Sequence, residues 1–294
     1  VFHYKRFTIG YIDYAFVDQK YNGQGLGQLL YQQTVNQLWD LNCDYISAIV
    51  KDDNVASFTL FQKHKFYRVT ALLMVKELGV MNTLKQWIDT PIALALGMEY
   101  YIAKKDGSTI GETSHPITRW FLYFLLNLAL ISIVSQRRDS FSLQYLSAVS
   151  IIFIGLSITG YIVSGISRNH WRFRLVEGGS LIHFLVSIFG GFLPFLGNWY
   201  PVKYQKSREQ TLALAIISLS QWMFIVCLIW ITWLIDNTQL SYQINQVTTE
   251  ILILFIIPFY PISIYGSSRI MAWSRWTYAL IVFLSIVTIV VNWI

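Results

Sequence analysis

Two different patterns of hydrophobic and polar positions divide the chain. In residues 1–79, short apolar stretches alternate with polar turns, as in a soluble domain of strands and amphipathic helices. From residue 117 onward, apolar runs recur that are long enough to cross a bilayer, which requires about 20 residues. The pattern therefore predicts a mixed α+β sheet domain followed by an all-α transmembrane helical domain.

The pattern of the first part predicts the element order β-α-β-α-β. The strands are rich in Ile, Tyr, Phe and Val, and the first of them alternates apolar and polar residues. The predicted elements are a strand at 9–17, a helix at 26–41, a strand at 45–50, a helix from Asn54 to His64 and a strand at 66–78. Residues 80–116 lack a long apolar run and are predicted to be a connector with a short helix near 83–96.

Six apolar stretches follow the connector. Five are long enough to span a membrane, whereas the third is short and interrupted by Gly190, Gly191 and Pro194. The stretches cover residues 117–135, 143–165, 178–196, 211–235, 249–265 and 275–294.

Composition agrees with this division. The chain is 54% hydrophobic and only 13% charged, whereas soluble domains have about 25% charged residues. A single soluble globule and a disordered chain are therefore excluded. The net charge of +6 resides in residues 117–294, where basic residues in short loops are typical of membrane topology and not of nucleic-acid binding. Cys43 and Cys227 lie in different parts, so no disulfide is expected.

Loop charges predict the topology of the membrane domain. If all six stretches crossed and the N-terminal domain lay inside, three basic residues would face inward and seven outward. If 178–196 is instead re-entrant, eight face inward and only Arg137 and Arg138 face outward, in agreement with the positive-inside rule. We therefore expect about five spans plus one re-entrant segment, with the N-terminal domain in the cytoplasm.

A glycine-rich turn, GQGLG at 23–27, follows the first predicted strand and precedes a helix. Such a turn lets backbone N–H groups and the positive end of the helix dipole approach a phosphate. The dinucleotide-binding pattern is excluded because position 30 is Leu, and the P-loop is excluded because no GK[ST] follows.

The residues of this region resemble a known family. The stretch FVDQKYNGQGLGQLL at 16–30 is similar to the acetyl-CoA motif of the GNAT N-acetyltransferase superfamily. NVASFTLFQKHKF at 54–66 resembles that family's second motif, and LLMVKEL at 72–78 resembles its usual last strand. The resemblance covers residues 9–79. Because the chain begins at Val1 without Met, we expect this sequence to lack the N-terminal portion of the domain.

The resemblance implies acetyl-CoA as co-substrate and transfer of its acetyl group to an amine. It implies that backbone groups of Phe16 and Val17 contact the pantetheine arm. It also implies two further sets of cofactor contacts: Asn22, Gly23, Gln24, Gly25, Leu26, Gly27 and Gln28 around the pyrophosphate, and Asn54, Ser57 and Phe61 on the far side.

Three residues depart from the family pattern. Asn22 replaces a Gln or Arg, Lys65 replaces a glycine, and Phe61 stands where a tyrosine often acts as general acid. A non-glycine residue at positive φ would cost about 1 kcal/mol at Lys65. Phe61 has no proton to give, so either water protonates the thiolate or the activity is impaired.

Asp13 is the candidate general base. Alternation along the predicted strand places Asp13 on one face with Ala15 and Val17, where its carboxylate could reach an amine directly or through water. A solvated or ion-paired aspartate is an equally good interpretation, and Tyr11 and Tyr14 are alternatives.

The membrane part contains few ionisable residues. Glu177 and His183 flank the third stretch, and their spacing places them on different helix faces. The segment 170–201 faintly resembles membrane segments of site-2 (M50-like) protease relatives, but without HExxH no metal site is predicted.

Three functions remain open on the sequence. The first is a membrane-tethered N-acetyltransferase with the lipid bilayer and an unknown primary amine as partners. The second is a catalytically weak acyl-CoA-binding sensor or scaffold coupled to the membrane domain. The third is a transporter, an intramembrane enzyme or a non-catalytic protease-derived module, with the soluble domain as an accessory.

Overall fold

The computed structural model divides the chain into two compact units. The first contains residues 1–113 and 177–179, and the second contains residues 114–176 and 180–294. The structure describes residues 1–13, 15–21, 23–52, 54–109, 115–138, 142–167, 170–203, 207–235, 238–259 and 261–293.

The first unit has a five-stranded mixed sheet. Its strand order is β1-β2-β3-β5-β4, with β2 and β3 parallel and the other neighbours antiparallel. The strands are β1 (Phe2–His3), β2 (Thr8–Ile12), β3 (Tyr45–Lys51), β4 (Tyr67–Val69) and β5 (Met98–Lys104).

Four helices accompany this sheet. They are α1 (Leu26–Asp40), α2 (Val55–Lys63), α3 (Ala71–Leu78) and α4 (Val80–Asp89), with 3-10 turns at Gln19–Tyr21 and Ile92–Leu94. The parallel pair β2–β3 is joined through α1, as a parallel connection requires a crossover. The core of this unit includes Ile9, Ile46 and Ile102, each at most 1% exposed. The predicted mixed sheet is confirmed.

Two predictions for this unit are wrong. Residues 66–78 are not one strand: β4 ends at Val69, and the Thr70 side chain accepts a hydrogen bond from the Leu73 backbone N–H at 3.3 Å and caps α3. The segment ALLMVKEL is made mostly of strong helix formers, so the cap directs it into a helix. The predicted connector at 80–116 contains β5, which pairs with β3 along its whole length.

Lys65 has the expected strained backbone. Its φ is +60°, in the left-handed region, at the turn between α2 and β4. A glycine would adopt this conformation without the cost of about 1 kcal/mol that a side chain carries there.

The second unit is mostly helical. Its helices are α5 (Pro116–Arg137), α6 (Leu143–Ile166), α7 (Ser180–Ile188), α8 (Arg208–Leu234), α9 (Gln239–Ile256), α10 (Ser267–Trp273) and α11 (Arg275–Trp293), with a 3-10 turn at Ile262–Tyr265. Among the described residues, α5, α6, α8 and α11 are long and apolar enough to cross a membrane.

This unit is not entirely helical. Strands β6 (Trp171–Leu175) and β7 (Gly197–Pro201) form an antiparallel pair. WRFRL alternates, and pairing with β7 satisfies its backbone groups where no helix continues. The prediction of an all-α domain missed this ribbon.

Helix α9 differs from the predicted stretch 249–265. It begins ten residues earlier, at Gln239, and ends at Ile256, directly before Ile257 and Pro258. The residue before a proline is disfavoured in the helical region, which explains this end. Near the start of α9, Asn245 bonds Asn292 at the end of α11, at 2.7 Å. At the end of α9, the Ile256 carbonyl accepts from the hydroxyl of Tyr278 near the start of α11, at 2.9 Å. The two helices are therefore antiparallel.

Residues 176–196, which we call the returning segment, begin and end at the same place. The Val176 backbone N–H donates to the Leu196 carbonyl at 2.9 Å, and β6 and β7 pair on either side. Between these ends the chain forms α7, turns at Gly190 and Gly191, and returns without helix. This is the path expected of a re-entrant segment, while its position in a membrane stays a prediction.

Side chains of α7 and of elements outside the returning segment satisfy its non-helical half. Irregular backbone at membrane depth is tolerated only when protein groups or water in a cavity pair with it. The pairs are Gly190 O with Arg138 Nε (2.8 Å), Leu193 O with His183 Nδ1 (3.0 Å), Pro194 O with the Tyr265 hydroxyl (2.7 Å), and Phe195 N–H with Asn127 Oδ1 (2.9 Å).

Replacing Asn127 with leucine is expected to destabilise the second unit by about 1–3 kcal/mol, because the buried Phe195 N–H loses its acceptor. Thermal unfolding of the full chain in detergent micelles measures this loss. Ser132→Ala on the same helix is the control, since among the described residues the Ser132 hydroxyl bonds only Leu128 O of its own helix. Equal melting temperatures for both variants would contradict the role of Asn127.

Candidate active site

The parallel pair β2–β3 opens at one end. Its register ends at Ile12 opposite Ala48, whereas β3 continues to Lys51. The chain leaves the sheet after Ile12, so the predicted strand over 9–17 is too long. Among the described residues, the backbone groups of Phe16 and Val17 have no hydrogen-bond partner, and the Phe16 side chain is 85% exposed. They are therefore available to a ligand lying beside the opened strands.

The glycine-rich turn follows this opening. Gly23 and Gly25 have φ of +84° and +77°, which favours glycine, and a Cβ at either would meet no atom within 4 Å. The turn before them is held by Asp18, whose carboxylate accepts from the Lys20 N–H at 3.1 Å and whose carbonyl accepts from Tyr21 at 2.9 Å. The glycines thus bend the chain and leave its backbone open on one side.

The helix behind the turn has an open N-terminus. Gly25 is the N-cap of α1 and provides no side-chain acceptor, so the first N–H groups and the positive dipole end face an exposed loop. Gly23, Gln24, Gly25 and Leu26 are exposed, and Gly27 is half-buried. Asn22, the remaining predicted member of this loop, lies outside the described residues. The arrangement is suited to an anion such as a phosphate.

Gln28 and Lys63 connect the two helices beside the loop. The Lys63 ammonium donates to Gln28 Oε1 at 3.3 Å, which ties the first turn of α1 to the end of α2. At the start of α2, Asn54 Oδ1 accepts from the Ser57 backbone N–H at 3.1 Å. Asn54 is thus the N-cap of α2, as predicted, and its side-chain oxygen is engaged in that cap.

Phe61 is part of the core in this structure. It is 1% exposed and packs against the rings of Tyr31, Phe66 and Tyr101, with centroid distances of 5.1, 4.6 and 6.0 Å. It therefore forms no open wall, and its role as a cofactor contact stays a prediction.

Tyr31 is a residue that the sequence did not single out. It lies on α1, and its ring meets the edge of Phe61. Burial raises the pKa of Tyr31, and the Ser57 side chain partly offsets this. A Tyr five residues beyond Leu26 looked like an ordinary helix residue, so only the packing of α1 on α2 reveals it.

Asp13 lies immediately after β2 and is exposed. Because the strand ends at Ile12, the alternation argument that placed Asp13 with Ala15 and Val17 does not apply. Asp13 is nevertheless at the opened end of the sheet, in the segment that leads to the glycine turn. Tyr11 is half-buried within β2, and Tyr14 lies outside the described residues.

Residues 1–66 match the sequence model of the Acetyltransferase (GNAT) family. The match contains the opened strand, the glycine turn, α1 and α2, and it agrees with the mixed sheet of the first unit. No curated protein and no solved structure matches the chain.

The faint resemblance to site-2 proteases has no such support, because the matched family covers only the first 66 residues. The described residues contain no group of three or more His, Cys, Asp or Glu side chains suited to a metal ion. Glu177 accepts a hydrogen bond from the Ala71 backbone N–H at the start of α3, within the first unit. His183 is fully buried in the second unit and supports the returning segment.

Proposed function

We propose that this chain is a membrane-tethered N-acetyltransferase that transfers the acetyl group of acetyl-CoA to a primary amine. The observation that carries the proposal is the open glycine turn at the uncapped N-terminus of α1, beside the unpaired end of β2, within the segment that matches the GNAT family. Backbone N–H groups of the turn from Gly23 to Gly27 would hold the pyrophosphate, except that of Gln24, which donates to the Tyr21 carbonyl at 3.4 Å. Those of Phe16 and Val17 would hold the pantetheine arm.

The chemistry is direct attack of the amine nitrogen on the thioester carbonyl. Asp13 would accept the proton that the amine loses, directly or through a water molecule. The acetyl C–S bond breaks and CoA leaves as a thiolate. Phe61 has no proton for it, so water is the proton source in this proposal.

The second candidate is an acyl-CoA sensor in which the first unit binds the cofactor without turning it over. The observation that favours it is Phe61, a buried ring at the position where the family often has an acidic hydroxyl. Both functions require acetyl-CoA binding, and only the first requires release of free CoA.

A thiol-release assay on the full chain in nanodiscs separates the two. We expect free CoA to accumulate from acetyl-CoA with at least one member of a panel of small amines, amino sugars and lysine peptides. Saturable binding of acetyl-CoA without release over the whole panel would refute the enzyme and support the sensor.

Replacing Gly25 with alanine is expected to raise the Kd for acetyl-CoA about tenfold, because the Cβ strains the turn and occupies the open side of the loop. Calorimetry on the full chain measures the Kd. Gly79→Ala is the matched control: Gly79 has φ of +79° and an equally open surrounding, between α3 and α4. It should lower the melting temperature and leave the Kd unchanged. Equal Kd changes in both variants would contradict a phosphate-binding role for this loop.

We also propose that the first unit faces the cytoplasm, where acetyl-CoA is found, and that the returning segment is re-entrant. The support is the asymmetry of the basic residues together with the meeting ends of residues 176–196.

Cysteine labelling tests this topology. Lys203, after β7, and Gln136, at the end of α5, are both exposed and are replaced singly by cysteine in a chain without Cys43 and Cys227. A membrane-impermeant maleimide should label Gln136→Cys in intact cells and Lys203→Cys only after lysis. Labelling of Lys203→Cys from outside would overturn the re-entrant topology.

A further inference from the structure

The second unit contains an open cavity of about 900 Å3, with many polar side chains in its lining, at one end of its helices. It lies among the last turn of α8, residues 239–253 of α9 and the end of α11. Its polar lining includes Thr232, Asn245, Gln246, Thr249, Glu250 and Asn292, and the rings of Trp233 and Tyr242 border it. A concentration of amides and hydroxyls within otherwise apolar helices is typical of a binding site and not of a lipid contact.

Two buried oxygen atoms in the cavity wall lack hydrogen-bond partners among the described residues. Thr249 is 8% exposed and its hydroxyl is unpaired, and Glu250 Oε2 is buried and unpaired. The other carboxylate oxygen, Glu250 Oε1, lies 2.7 Å from Arg138 Nη1. Neighbouring unpaired acceptors in a wall of this kind favour a ligand that brings O–H donors.

The shape of the wall is fixed by side chains. Asn245 and Asn292 exchange two amide hydrogen bonds of 2.7 Å, which hold α9 against α11. Asn245 also donates to the Thr232 hydroxyl at 3.4 Å, which adds the end of α8. The three helices therefore present their polar groups in a preformed arrangement.

The charge of the cavity limits the chemistry of the ligand. Of the described lining residues, Glu250 alone carries a charge, and Arg138 neutralises it. A phosphate would find no cation in this lining, and an acyl chain would leave the amides and hydroxyls unpaired. Trp233 and Tyr242 are 50% and 66% exposed, and their rings offer flat apolar surfaces beside these polar groups.

We propose that this cavity binds a neutral, hydroxyl-rich ring, that is, a glycosyl group, from either a free sugar or the headgroup of a glycolipid. Thr249 and Glu250 accept or exchange hydrogen bonds with its hydroxyl groups. Trp233 and Tyr242 cover its C–H faces. The proposal is independent of acetyl transfer, since all of these residues belong to the second unit.

Hydrogen exchange of the full chain in phosphatidylcholine nanodiscs tests the proposal. The probes are maltose and diacetylchitobiose in solution and digalactosyl diacylglycerol in the bilayer, with phosphatidylglycerol as a lipid without a sugar. We expect a sugar probe to protect residues 239–253, with a Kd at least about tenfold higher for Thr249→Val. Thr159→Val is the matched control, because the Thr159 hydroxyl donates to Gly155 O of its own helix and has no other partner in the part of the chain that the structure describes.

Protection by the free disaccharides would identify a soluble sugar as ligand, and protection by the galactolipid alone would identify a headgroup. Glu250→Gln should also weaken binding, but it disturbs Arg138, so the decision rests on Thr249→Val. The proposal is overturned if no sugar probe protects residues 239–253, if Thr249→Val binds as the parent does, or if phosphatidylglycerol protects equally.

Discussion

Asparagine at Asp13 should lower kcat for acetyl transfer by about a hundredfold or more, while the Kd for acetyl-CoA stays unchanged. The reason is that an attacking amine must lose a proton, and a positioned base typically contributes about 10²–10⁴ in rate. Asp13 follows directly on the last paired residue of β2, where the sheet opens, so it can act on the acceptor without supporting the cofactor loop. Initial rates of CoA release at saturating acetyl-CoA measure kcat, and calorimetry measures the Kd.

Asp40→Asn is the matched control for this substitution. Asp40 is an exposed carboxylate at the other end of α1, and its loss should leave kcat unchanged. If Asp13→Asn turns over as fast as Asp40→Asn, Asp13 is not the base. Transfer would then rely on solvent or on another group at the opened strand end.

Glutamine at Glu99 is expected to weaken the first unit by about 3–5 kcal/mol, the usual cost of leaving one partner of a buried ion pair without its counter-charge. Glu99 on β5 lies 2.9 Å from Arg68 on β4, and the two side chains are 1% and 7% exposed. The Tyr101 hydroxyl also donates to Glu99, at 3.2 Å. Hydrogen exchange of residues 67–69 and 98–104 in the full chain should accelerate by about a hundredfold or more.

The double variant Arg68→Met, Glu99→Met distinguishes the cost of leaving a buried charge unpaired from the loss of the contact between the two side chains. Removing both charges leaves no unpaired charge, so the double variant should exchange more slowly than Glu99→Gln. If the double variant exchanges at least as fast as Glu99→Gln, the unpaired charge is not the cause of the destabilisation. The contact between the two side chains would then be what holds β4 to β5.

The first half of the first unit was predictable because the sequence patterns that determine its elements are local. The strand at 45–50, the helix after Gly25 and the Asn54 cap each depend on residues within one turn of the element, and all three are found. Lys65 has the positive φ that was expected because the resembling family motif has a glycine at this place. By contrast, the alternation at 9–17 continues past Ile12, where β2 leaves its partner β3, and no local pattern records that departure.

The predictions for the second half of the first unit, and for part of the second unit, were wrong where contacts between distant residues determine the structure. The segment ALLMVKEL is apolar enough for a strand, but Thr70 caps it as a helix. Strand β5 was not predicted because its segment is of mixed polarity and its partners β3 and β4 are distant in sequence. In the apolar half, run length predicted five spans, whereas among the described residues four helices, α5, α6, α8 and α11, are long and apolar enough to cross a membrane. The groups that support the returning segment, such as Asn127 and Tyr265, are isolated polar residues without periodicity. Tyr31 escaped notice for the same reason.

Calorimetry on the full chain in nanodiscs can compare acetyl-CoA with acetyl-pantetheine, which lacks the pyrophosphate together with the nucleotide attached to it. If the turn at Gly23–Gly27 holds the pyrophosphate, acetyl-CoA should bind saturably with one site per chain, and acetyl-pantetheine should bind at least about a hundredfold more weakly. Equal affinity for the two compounds, or no binding of acetyl-CoA, would show that the turn at Gly23–Gly27 does not hold the pyrophosphate.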